Sequence, residues 1–172
     1  MKKKILVLLV LFIALIITGC SKKDNPKKDE LANDEVILEN IKYKLDQDTS
    51  EYGLNFKIAE NFRKRDTGNA INYFSEEIDG SSYFVIRIFR YKNKDINYAI
   101  KDTTSSYDKK YEKQIGDKTY TVVHFVNPIG NNVETELFYY TSNKTTYAYC
   151  FTANASLDLT RLQEIFLNNI VY

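Results

Sequence analysis

The sequence predicts an α+β fold: an antiparallel β-sheet covered by helices. Three observations predict it. From residue 37 onward, short runs rich in Tyr, Phe, Val and Ile alternate with polar turn signals, as hairpin-connected strands do. On the later runs both sets of alternate residues are substantially apolar, so the sheet needs cover on two sides. Two segments carry apolar residues at helical spacing and can supply that cover.

The strands are expected at 37–45, 54–58, 70–76, 83–91, 107–114, 120–126, 133–141 and 145–153. Glycine and asparagine tolerate the positive φ of tight turns. They mark breaks at Thr67-Gly68-Asn69, Asp79-Gly80-Ser81, Gly116-Asp117-Lys118 and Ile129-Gly130-Asn131-Asn132. Hairpins are expected around Gly116-Asp117 and Ser142-Asn143-Lys144. Alternation puts Val123, Phe125, Leu137, Tyr139, Ala148 and Cys150 in one set. Val122, His124, Val126, Phe138, Tyr140, Tyr147, Tyr149 and Phe151 form the other. The first helix is expected over 95–103, with Ile96, Ala99 and Ile100 on one face. The second is expected over 157–170, with Leu159, Leu162, Phe166 and Ile170 as its stripe and Asp158 as N-cap.

The first 36 residues read differently. Lys2, Lys3 and Lys4 precede 13 uncharged, apolar residues from Ile5 to Ile17. That is the length of a signal-peptide h-region and short of the roughly 20 residues a membrane-spanning helix needs. Ile17-Thr18-Gly19-Cys20 then resembles the bacterial lipobox: an aliphatic residue, two small residues and a cysteine. The resemblance implies cleavage after residue 19 and diacylglycerol on the Cys20 thiol. Two or three acyl chains at about 0.8 kcal/mol per buried methylene hold a protein where one alone is marginal. Ser21, where retention signals carry Asp, implies display outside a one-membrane cell, or the outer membrane of a two-membrane cell. Residues 20–36 are charged, contain Pro26 and lack aromatics. They read as a flexible tether with a reach of roughly 20 Å.

Composition narrows the function. The chain has 172 residues, and the 153 left after cleavage suit one domain with a real core. It carries 24 Lys+Arg and 23 Asp+Glu; losing three lysines with the signal leaves the mature form near −2. A nucleic-acid binder would carry a basic stripe, so nucleic acid is not an expected partner. With Cys20 committed to lipid, Cys150 has no disulfide partner within the chain.

The candidate chemistry is thin. His124 is the one histidine and lacks companions for a metal site, so no metal or cofactor is expected. It reads as a packed or edge histidine. Cys150 reads as a buried small hydrophobe rather than a nucleophile, with His124 on the other strand face. Glu134 and Glu136, two apart on a strand, share a side and could hold a cation or act as an acid–base pair; they read as rim charges. Arg87 and Arg90 interleave with Phe89 and Tyr91. Tyr140, Tyr147 and Tyr149 share one side of a hairpin, and tyrosine is enriched in binding hot spots. These three tyrosines with Arg87 and Arg90 are the candidate binding surface. The reading favoured for the tyrosines is nevertheless that they pack beneath a helix with their hydroxyls at its edge.

The order of elements adds a family resemblance. It runs from Tyr52-Gly53-Leu54-Asn55-Phe56-Lys57-Ile58 through Tyr83-Phe84-Val85-Ile86-Arg87-Ile88 and a helix. Then come Ile115-Gly116-Asp117-Lys118-Thr119-Tyr120-Thr121-Val122-Val123, a hairpin ending in Tyr147-Ala148-Tyr149-Cys150-Phe151, and a helix closing at Ile170-Val171-Tyr172. Over residues 37–172 this resembles the PsbP-like fold, which also occurs in small DcrB-like bacterial lipoproteins. The resemblance implies a non-enzymatic assembly, docking or accessory role and no active site. The expectation is therefore an envelope lipoprotein, held to the membrane through Cys20, that binds or assembles an envelope protein partner. A small-ligand or cation receptor accessory to a transporter, or an envelope hydrolase using Glu134 and Glu136, are the alternatives.

Overall fold

The computed structural model describes residues 32–75, 77–78, 81–82, 84–127 and 133–172. The expected signal peptide, Cys20 and the tether as far as residue 31 lie outside the described residues. So do Glu76, the Asp79-Gly80 turn, Tyr83 and the turn at 129–132.

The chain opens with three antiparallel strands: β1 (Glu35–Leu38), β2 (Ile41–Glu51) and β3 (Leu54–Ala59). The expected strand 37–45 is thus a hairpin. Glu39 and Asn40 form its two-residue turn, both at positive φ (49° and 65°). Such a turn matches the right-handed twist of the flanking strands, but it usually advertises itself with Asn-Gly. The expected tether boundary also shifts, because Glu35 and Val36 belong to β1 and Val36 is buried. Tyr52-Gly53 makes the next tight turn, with Gly53 at φ 83°.

The second sheet has seven antiparallel strands. In chain order these are β4 (Arg63–Asp66), β5 (Ala70–Phe74), β8 (Phe84–Lys92), β9 (Lys109–Ile115), β10 (Lys118–Asn127), β11 (Val133–Ser142) and β12 (Thr145–Asn154). Two short strands, β6 (Glu77–Ile78) and β7 (Ser81–Ser82), pair with each other between β5 and β8. The spatial order is β4-β5-β8-β12-β11-β10-β9. The outer strands read RKRD and KKYEKQI. Charged edges of this kind discourage pairing with other chains. The β9–β10 and β11–β12 hairpins turn at Gly116-Asp117 and Asn143-Lys144, as expected.

Helix α1 (Ile96–Thr103) starts at Asp95, whose side chain accepts from the Tyr98 N–H at 2.7 Å. It packs on Val123, Leu137, Tyr139, Ala148 and Cys150. Helix α2 (Thr160–Asn168) is shorter than its apolar stripe suggested. Leu159, not Asp158, takes the N-cap position, while Asp158 Oδ1 accepts from the Thr160 N–H. Together α2 and the three-stranded sheet cover the opposite face of the large sheet. There Tyr73, Phe84, Tyr120, Phe138, Tyr149, Phe151 and Phe166 are buried in one aromatic core. The α+β class is therefore observed, with the large sheet covered on both faces. The two alternation sets fall on the two faces as expected, apart from Val126, which is exposed. Arg161, in the first turn of α2, donates to the carbonyls of Glu35 and Ala32 and ties the start of the domain to this layer. Among the described residues no helix is long and apolar enough to cross a membrane.

Candidate functional site

The tyrosines pack, and the candidate surface built on them does not form. Tyr149 is fully buried and Tyr147 nearly so, while Tyr140 packs half-buried against the same core. The segment after α2 returns over them. Val171 exchanges backbone hydrogen bonds with Asn55. Tyr172 then stacks near Tyr140 (4.8 Å between centroids) and Tyr147 (5.4 Å), and accepts a hydrogen bond from the Tyr149 hydroxyl. Burial pushes the Tyr149 and Tyr172 phenols well above their ordinary range.

Arg87 and Arg90 do stay exposed, but they do not share a surface. Three residues apart on a strand, they point to opposite faces. Arg87 donates to Asn72 and lies near the Phe89 ring on the α1 side. Arg90 sits 4.6 Å over the Tyr52 ring and donates to the Tyr52 carbonyl on the other. The candidate binding surface of three tyrosines and two arginines is therefore corrected. Its rings are core and its cations are divided by the sheet.

Cys150 lies buried on the α1 face, and burial raises its thiol pKa. That makes it a poor nucleophile. His124 projects from the opposite face, so the two do not meet.

The polar chemistry collects at one end of the α2 face. Along β11 this face runs Phe138, Glu136, Glu134, from core to rim. On neighbouring strands the same face carries His124 opposite Glu136, and Tyr111 next to Val122. The Tyr111 hydroxyl donates to Glu136 Oε1 at 2.7 Å. Gln163 Nε2, from the second turn of α2, donates to Glu136 Oε2, also at 2.7 Å. His124 Nε2 meets Glu134 Oε1. Desolvation, with the bond to Glu136 second, lifts the Tyr111 phenol above its ordinary range and keeps it a donor. Glu136 and Glu134 thus stand among partners drawn from β9, β10 and α2 rather than as free rim charges.

Beside this cluster α2 stands off the sheet and leaves a cavity of about 190 Å³. Glu134, Glu136, Asp158 and Gln163 supply its polar side. Phe151, Ala153, Leu157 and Leu159 supply apolar wall. The Thr160 hydroxyl, and then its N–H, hold the Asp158 carboxyl below the ordinary aspartate range. Gln163 is 4% exposed, yet among the described residues its Oε1 has no hydrogen-bond partner, and neither has His124 Nδ1. An unsatisfied buried acceptor costs about 1–3 kcal/mol. Tyr111, Asp158 and Gln163 were not foreseen as members of one site. Gln163 had a signal: it is a polar residue inside the buried run of α2.

No family model matches the chain, and no curated protein matches it. Among solved structures, a protein of Bacteroides thetaiotaomicron VPI-5482 is similar at a TM-score of 0.50 and 11% identity. The match covers 69% of this chain and 44% of that one, so this chain spans less than half of its length. At that identity the likeness concerns the fold alone.

Proposed function

We propose that this chain is a lipid-anchored cell-envelope protein whose domain, PsbP-like in layout, binds a ligand or partner without transforming it. The anchor rests on the Lys2–Lys4 start, the apolar run and the Ile17-Thr18-Gly19-Cys20 lipobox. The binding role is carried by one observation: a cavity beside α2 with Glu134, Glu136, Asp158 and Gln163 on its polar side and Phe151, Ala153, Leu157 and Leu159 as apolar wall.

The geometry favours binding over hydrolysis. An acid–base pair must exchange protons with its substrate. Glu136 has one oxygen engaged by Tyr111 and the other by Gln163. Glu134 is tied to His124. Such a framework holds fixed acceptors in place, which suits recognition.

Intact and native mass spectrometry of the full chain, extracted from the membranes of its own host, tests both halves. The expected result is the mass of residues 20–172 plus acyl chains, with a stoichiometric companion. A mature mass without lipid would remove the anchor. Replacing Glu134 and Glu136 and thereby abolishing a detected turnover would remove the non-catalytic reading.

A further inference from the structure

We propose that the part of the α1 face left open over β4, β5 and β8 is a docking surface for an acidic patch on a partner protein. It lies on the other side of the sheet from the cavity and does not depend on it.

Helix α1 packs chiefly on β11 and β12. Toward β8, β5 and β4 the same face comes out from under the helix. There Val85, Phe89 and Tyr91 of β8 and Phe74 of β5 are half-buried, while Arg65 and Arg87 are exposed. Pairing puts Arg63 opposite Phe74, Arg65 opposite Asn72 and Asn72 opposite Arg87, so these residues share one face.

Charge sets the sign of the partner. On this face the three strands carry Arg63, Arg65 and Arg87 and, among the described residues, no carboxylate. Lys64 and Asp66 point to the other face, where Lys64 pairs with Glu51. Asp102 of α1, at the border, accepts from the Tyr91 hydroxyl at 3.0 Å.

Arg87 is held ready for a carboxylate. Asn72, 1% exposed, accepts from Arg87 Nε and donates to the Arg65 carbonyl. The Arg87 guanidinium also lies over the Phe89 ring at 5.9 Å. A side chain fixed in this way loses little freedom on binding. The fork of its Nη groups matches the two oxygens of a carboxylate.

Shape favours a protein over a sugar chain or a bilayer. Phe89 and Tyr91 stack, with 6.4 Å between centroids and 19° between planes, and Tyr98 meets Tyr91 edge-on at 6.2 Å. With Arg87 over Phe89, this column spends its ring faces on itself and offers no flat platform to a sugar. Half-buried on a strand, Phe89 and Tyr91 do not project as side chains that enter a bilayer must. Arginines and aromatic rings together are what the centre of a protein–protein interface is enriched in. The outer strand β4 is charged throughout, so a partner meets the face and does not extend the sheet.

The test is photo-cross-linking in the intact host, using the full chain with benzoylphenylalanine in place of the exposed Tyr98, and mass spectrometry of the adduct. The expected adduct is a peptide of another protein with clustered Asp or Glu. Arg65→Glu and Arg87→Glu are each expected to lower its yield roughly tenfold or more, because like charges then face each other across the interface. Lys109→Glu, the same charge change on β9 at the far edge of the sheet, is expected to leave the yield unchanged. Arg65 is exposed on an edge strand, so an Arg87→Glu chain that failed to fold would leave the test intact. Reversing the acids of the cross-linked peptide to lysine should restore the adduct of Arg65→Glu. An adduct with lipid, with glycan or with a second copy of this chain overturns the proposal, as does no adduct at all. A protein adduct that ignores Arg65→Glu, or falls as far with Lys109→Glu, overturns it too.

Discussion

The two faces of the seven-stranded sheet are built from the same strands and do opposite things. The α1 face is thin. Its buried set is small, Ala99, Ile100, Val123, Leu137, Tyr139, Ala148 and Cys150, and one eight-residue helix covers it. The α2 face is deep. A second sheet and a helix lie over it, and aromatic rings meet edge to face through its centre: Phe56 with Phe166, Phe166 with Phe151, Phe151 with Phe138. At one end of this thick face Glu136 gathers Tyr111 and Gln163 beside a cavity. The thin face buries polar groups too, but in pairs held by neighbouring strands: Asn72 with Arg87, Thr135 with Thr152 and Thr146 with Thr141. The α1 layer has room for Cys150 and Tyr139, with the Tyr139 hydroxyl already bonded to Thr103 at the edge of its helix.

Removing the hub of the thick face should do the most damage. Phe166→Ala is expected to cost about 3–5 kcal/mol in urea unfolding, because a buried ring is lost and the surrounding aromatics cannot collapse into its place. Ile100→Ala on the thin face is expected to cost about 2 kcal/mol, at the low end for its type, since a short helix can settle onto the sheet. Equal losses would break the contrast between the faces. Gly116→Ala comes next, at about 1–2 kcal/mol. Its φ of +60° disfavours any side chain, and the new Cβ would lie 2.3 Å from Asn168 Oδ1 unless that side chain swings away. Thermal unfolding should register the loss, and a neutral result would place β9 and α2 further apart than described. The smallest effect belongs to the rim of the cavity. Asp158→Ala is expected to lower stability by about 0.5–1 kcal/mol at neutral pH, because the Thr160 N–H loses its acceptor. Thr160 holds the Asp158 carboxyl low, so its contribution is full above the unfolded-state pKa and disappears as pH falls through the folded one. Wild type and variant should therefore melt together once the pH has fallen below the lowered pKa of the folded state. A gap that persists there would mean that Asp158 acts through packing and not through its charge.

Most of the framework was legible, because strand and helix patterns are local. Ile96, Ala99 and Ile100 at helical spacing, with Asp95 or Lys94 near the start, were enough to place α1. The double apolar alternation of 120–126, 133–141 and 145–153 was enough to require two covered faces. Other features hid for physical reasons. Glu39-Asn40 turns at positive φ without a glycine, so two strands read as one. Strand β4 reads RKRD with every residue exposed, and an edge strand without an apolar face carries no period to detect. The shortened α2 reflects Leu157 and Ile170, which pack on the core from outside the helix and so extended its apparent stripe.

By itself the sequence determined the class, the hairpins, the two-sided sheet and the residues of each face. All follow from spacings of two to four residues, which the backbone imposes whatever the chain does elsewhere. Only the tertiary structure decided that the tyrosines are core, that Arg87 and Arg90 are divided, and that Glu136 is a shared acceptor. Glu136 meets Tyr111 across 25 residues and Gln163 across 27. Its two partners come from β9 and α2, on either side of β11 in the chain. Their meeting depends on strand order and on where α2 lands, and no local period records either.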